Sequence, residues 1–149
     1  MLSSSFVCLQ LSRSLTILHL TANSYRSFAE SQTNSRTYPV IVFLHGESFE
    51  WNSGNPYDGS VLAAYGQVIV VTLNFRLGIL GFLKVEAAET TSQSNFGLVD
   101  QVAALIWIKD NIDAFGGDTS KITLMGHGTG AVFASLLTIS PMAMYGENK

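Results

Sequence analysis

Two stretches of this chain, residues 40–44 (Val-Ile-Val-Phe-Leu) and 68–73 (Val-Ile-Val-Val-Thr-Leu), are apolar at nearly every position. Neither shows the alternation of a half-solvated strand. Unbroken runs of this length suit strands buried on both faces, as in a parallel sheet. A third short β-run, residues 121–125 (Lys-Ile-Thr-Leu-Met), breaks into three alternating glycines. Residues 98–112 carry the clearest helical period. Leu98, Val102, Leu105, Ile106, Ile108 and Ile112 fall mostly at three- and four-residue steps and predict one wide apolar face. Asp100 is expected in the first turn of that helix, where the dipole favours an acid. A second helix is predicted over residues 129–138, which are small or apolar throughout.

The connections are marked by composition. Residues 46–60 are dense in Gly, Asn, Ser and Pro and read as a loop. Residues 60–65 predict a short helix with Gly66 as its stop. Residues 74–82 hold two glycines among large apolar side chains, which predicts a packed loop, and residues 86–95 read as polar and exposed. Strand, helix, strand, helix, strand, helix is the order of a parallel α/β sheet. Three such strands leave two open edges, so the chain is expected to be part of a larger sheet.

Residues 1–37 differ. They are rich in Ser and Thr, contain no Gly or Pro and show no sustained period. The apolar patch at residues 15–20 follows Arg13 but is short and includes His19, a weak match to a secretory leader. These residues are expected to form a disordered or leader-like tail, with the folded domain at residues 38–149.

With 47% apolar and 13% charged residues, the 149-residue chain is too hydrophobic for a wholly disordered protein. A net charge of −3 leaves no basic footprint for nucleic acid. The single cysteine, Cys8, excludes an internal disulfide and a cysteine metal centre. No apolar run approaches the roughly 18 residues that a spanning helix needs. No cofactor or metal motif is found.

The stretch with chemistry in it is Gly126-His127-Gly128-Thr129-Gly130. Strand, tight glycine turn and helix are the context of the G-x-S-x-G nucleophile elbow. The middle residue, which would carry the nucleophile, is Gly128. His19, His45 and His127 all precede it, and Glu147 is the only acid that follows.

Five stretches together resemble the type-B carboxylesterases of the α/β-hydrolase superfamily. They are Pro39-Val-Ile-Val-Phe-Leu-His-Gly46, Asn74-Phe-Arg-Leu-Gly-Ile-Leu-Gly-Phe82, Asn95-Phe-Gly-Leu-Val-Asp-Gln101, Ala114-Phe-Gly-Gly-Asp118 and Ile122-Thr-Leu-Met-Gly126. The likeness covers about residues 38–141. Within this family the segment Asn55-Pro-Tyr-Asp-Gly-Ser-Val-Leu-Ala-Ala-Tyr-Gly66 and the glycine at the elbow are similar to the neuroligins, the insect type above all.

The resemblance implies a partial α/β-hydrolase fold with strand 40–44 between strands 68–73 and 121–125. Such a hydrolase needs a serine, an acid and a histidine in that chain order, with an oxyanion hole of backbone N–H groups. The matching oxyanion loop is Gly46, Glu47 and Ser48, with Thr129 as the third donor. Gly128 cannot form an acyl-enzyme, no histidine follows it, and Glu47 is expected to bring a carboxylate towards the developing charge. The implied protein is a degenerate esterase: a non-catalytic, neuroligin-like adhesion ectodomain fragment at the cell surface, with a neurexin-like protein partner. The family's dimer-forming region and membrane anchor lie outside the matched stretches. The alternative is a truncated carboxylic ester hydrolase of the same family.

The remaining candidates have structural readings. Arg76 and Asp100 are expected to form a buried ion pair, and Trp107 and Phe115 to sit in the core. Phe49 and Trp51, on the loop over the elbow, are expected to pack rather than to face solvent. His45 should order its loop, and His127 should be hydrogen-bonded under the turn. The Thr129 hydroxyl should point away from the tip.

Overall fold

The computed structural model describes residues 4–10, 17–23, 37–84 and 94–141. Its centre is one five-stranded sheet in the order β1-β2-β4-β3-β5. β3 (Tyr38–Leu44) lies between β4 (Ile69–Asn74) and β5 (Gly117–Gly126) and is parallel to both. These are the three expected strands in the expected order. Val42 pairs with Val71 on one side and Leu124 on the other.

The unbroken apolar runs have the predicted consequence. Residues 69–73 of β4 are buried without exception, as are Val40, Val42, Phe43 and Leu44 of β3. One face of the sheet presents Val40, Val42, Leu44, Ile69, Val71 and Leu73 to two helices. These are α3 (Phe96–Asn111), through Val102, Ala104 and Ile108, and α4 (Thr129–Ile139), through Phe133 and Leu137. The opposite face meets α1 (Ser60–Gly66): Gly59, just before that helix, is pressed against the side chain of Val70, and Ala63 is buried. A left-handed Gln67 ends α1, one residue past the predicted glycine stop. The packed loop after β4 contains a short helix, α2 (Gly78–Phe82).

Three expectations need correction. Residues 4–10 and 17–23, assigned to a tail, are strands: β1 (Ser4–Gln10) and β2 (Ile17–Asn23) form an antiparallel pair, and β2 continues antiparallel onto β4. Without β2, the outer edge of β4 would carry a row of unpaired N–H and C=O groups. The rest of the supposed tail, and most of the 86–95 stretch, lie outside the described residues. β5 is not buried on both faces. It pairs only with β3 among the described residues, so Ile122 and Leu124 turn towards the core while Thr123 and Met125 are exposed. Finally, α3 begins two residues before the predicted start, which moves Asp100 out of the first turn and into the second.

Candidate functional site

The C-terminal ends of β3, β4 and β5 converge on the elbow. β5 ends at Gly126, Gly128 adopts φ +58°, ψ −125°, and α4 starts at Thr129. Gly128 therefore stands at the tip of the strand-to-helix turn, where the nucleophile of a hydrolase would stand. Its conformation is one that L-residues with side chains rarely adopt, and residues so held cluster at active sites.

Which glycines build this corner is decided by close approach. A Cβ on Gly126 would overlap the backbone of Gly130, one on Gly130 the carbonyl of Leu44, and one on Gly46 the carbonyl of His127. Strand, helix and oxyanion loop are thus in backbone-to-backbone contact. Gly128 is different. A Cβ there would meet Glu47 N at 3.3 Å and nothing closer. The fold leaves room for a side chain at the tip, and the backbone N–H of Glu47 lies beside that room.

The loop of residues 46–54, the expected oxyanion loop, is held by hydrogen bonds. Asn52, in a positive-φ conformation, donates from Nδ2 to the Gly46 carbonyl at 2.9 Å and to the Tyr57 hydroxyl at 3.2 Å. The N–H of Gly54 donates to Asn74 Oδ1 at 2.7 Å, and Gly78 N–H to the Phe49 carbonyl at 2.7 Å. Ser48 Oγ accepts from the N–H of Glu50 at 3.1 Å, a local turn. Asn52 was not singled out from the sequence. Its signal is compositional only: asparagine tolerates the left-handed region better than most residues.

Glu47 occupies a positive-φ position, φ +83°, of the kind that favours glycine. Its carboxylate lies 3.8 Å from His127 Nδ1, and both side chains are well exposed. His127 is accordingly not tucked under the turn as expected. It stands on the surface and faces the oxyanion loop. The hydroxyl of Thr129 is buried.

Behind the elbow, Arg76 and Asp100 meet as predicted. Two parallel bonds of 2.7 Å join the guanidinium to the carboxylate, and Arg76 N–H adds a third at 3.1 Å. Asp100 is 1% exposed and Arg76 28%. Hydrogen bonding to Asp100 raises the Arg76 pKa. The guanidinium also lies 5.0 Å above the Phe96 ring. Further from the site, hydrogen bonds from Ser120 and then Lys121 lower the pKa of Asp118 to about 2.

The His45 ring meets the Gly46 backbone of its own loop without a well-formed hydrogen bond. The imidazole is buried, stacks on Phe75 with centroids 4.5 Å apart, and has neither nitrogen hydrogen-bonded among the described residues. Burial pushes its pKa down, opposed in part by the Gly46 backbone. Trp107 and Phe115 pack against the core, as expected. Phe49 meets Phe82 and Phe133 edge-on, at 5.7 and 5.3 Å, yet stays 41% exposed, so it packs only in part. Trp51 departs from expectation: at 63% exposure it stands in solvent. No helix among the described residues is long and apolar enough to cross a membrane.

The model of the carboxylesterase family matches residues 19–147, a wider span than the five motifs, reaching back into β2. The chain is 54% identical over 102 residues to neuroligin-2 of Mus musculus, covering 68% of this chain and 12% of that protein. It is 46% identical over 113 residues to para-nitrobenzyl esterase of Bacillus subtilis (strain 168), covering 74% of this chain and 23% of that one. Among solved structures, a thermophilic PNB esterase superimposes with a TM-score of 0.74 at 40% identity, over 86% of this chain and 25% of its own. The chain thus spans about an eighth to a quarter of the length of these proteins.

Proposed function

The chain belongs to the carboxylesterase family, and from that premise we propose that it is a non-catalytic, neuroligin-like adhesion module. It would act by binding a protein partner at the cell surface, a neurexin-like one by resemblance. The observation that carries this reading is Gly128. It occupies the corner of the elbow without a side chain to attack a carbonyl, and no acyl-enzyme can form without one. Glu47 adds a second obstacle: its carboxylate stands beside the oxyanion loop, where negative charge is unwelcome. The 54% identity to neuroligin-2 supports the adhesion half of the proposal.

The test uses the protein with a chromogenic short-chain ester, a serine-directed fluorophosphonate and an immobilised neurexin ectodomain. The expected result is no ester turnover above buffer, no covalent label, and saturable capture on the neurexin surface. Turnover or labelling of the unaltered chain would overturn the non-catalytic half. Absence of capture would overturn the adhesion half.

The second reading is a carboxylic ester hydrolase. It is favoured by the 46% identity to para-nitrobenzyl esterase and by an elbow backbone that still has the shape of a nucleophile corner. On that reading, the ester assay gives turnover.

A further inference from the structure

Five buried side-chain atoms have no hydrogen-bond partner among the described residues: both ring nitrogens of His45, both amide atoms of Gln101, and Oγ1 of Thr129. They belong to three elements, the residue after β3, the middle of α3, and the first residue of α4. Chain contacts place the segments that carry them at one end of the sheet. The His45 ring lies flat on Phe75, and the next residue, Arg76, is locked to Asp100, the neighbour of Gln101. On the other side, the carbonyls of Leu44 and His45 press against Gly130, the neighbour of Thr129. Phe133, one turn further along α4, meets the Phe75 ring at 5.2 Å.

Buried polar atoms without partners are rare in folded proteins, because desolvation is then uncompensated. Access limits what can meet these. His45 is 1% exposed and Gln101 0%, so a side chain of a binding partner has no route to them. Chemistry limits it further. A neutral imidazole offers one donor and one acceptor, a glutamine amide offers both kinds, and a hydroxyl offers both. A cation or a carboxylate would satisfy only one kind. Water donates and accepts, is small enough to be enclosed, and is held by two to four polar partners when buried.

We propose that His45, Gln101 and Thr129 enclose a buried water site behind the elbow. The waters bridge the end of β3 to α3 and α4, and so fix the base of the loop that carries Gly46 and Glu47. This inference rests on packing and is independent of the adhesion reading.

Water relaxation dispersion and water-to-protein NOE spectra of the isotope-labelled chain test it at a pH where His45 is neutral. The expected result is at least one long-lived internal water, with NOEs to the His45 ring and the Gln101 amide. Gln101→Met, a near-isostere without hydrogen-bonding groups, should lower the internal-water signal and weaken the NOE at His45. Combined with His45→Phe, it should shift the denaturation midpoint by an amount different from the sum of the two single shifts, because both variants disturb the same waters. Absence of a long-lived water, or of NOEs at both residues in the unaltered chain, would overturn the proposal. Strictly additive shifts would overturn the shared site. The spectra of the unaltered chain decide between these outcomes even where a variant does not fold.

Discussion

Four glycines at the elbow look alike in sequence and differ in what holds them. Gly46, Gly126 and Gly130 are fixed by backbone contact, Gly128 only by its own dihedral angles. Alanine at any of the first three is expected to cost more than about 3 kcal/mol, above the usual overpacking range, since carbonyls rather than flexible side chains must move. Gly128→Ala should cost about 1–3 kcal/mol, the strain of a side chain at that backbone conformation. Urea unfolding of the four variants checks the split. The Arg76–Asp100 pair should also respond asymmetrically. Arg76→Met leaves a carboxylate buried without its cation and should cost about 3–5 kcal/mol, whereas Asp100→Asn leaves a partly exposed guanidinium that can hydrate, and should cost less. His45 sets a pH limit. Its folded pKa is depressed by burial, so the unfolded chain takes up the proton first. Its contribution is therefore intact above about 6.5 and is lost as pH falls through that value towards the folded pKa. His45→Phe, compared with the parent by urea midpoints between pH 8 and 5, should remove that part of the slope. The spacing of the elbow, the ion pair and the aromatic core were all legible in the sequence. The isolation of His45 and Gln101 was not, because it depends on which distant groups fail to reach them.

Elements were legible where pattern and environment coincide. β3 and β4 have neighbours on both sides and are largely buried, so unbroken apolar runs identify them. β2 was missed because its short run, containing His19 and Thr21, lacks a turn signal and reads like a failed leader. Its pairing with β4 is a long-range fact. In α3 the period located the helix, but not each residue on it: Ile108 is fully buried, while Ile106 is substantially exposed. Ile108→Ala should cost about 2–5 kcal/mol and Ile106→Ala within about 0.5 kcal/mol beyond helix propensity, measurable by thermal or urea unfolding.

At the scale of the whole molecule, apolar side chains remain at the surface on three helices: Val61 and Tyr65 of α1, Ile79 and Leu80 of α2, Val132 and Ile139 of α4. Exposed apolar area on this scale favours association. Light scattering should show concentration-dependent oligomers, and a cooperative melt of a strictly monomeric sample would contradict that expectation. The order of the strands also sets a timetable. β3 takes one neighbour from β4, close behind it, and the other from β5, where Val40 meets Ile122. That second partner is about 80 residues later, so at 5–20 residues per second the ribosome needs roughly 4–16 s to deliver it. Throughout that interval β3, flanked on both sides once the sheet is complete, is a margin, and the elbow waits for β5 to dock and α4 to turn away from it.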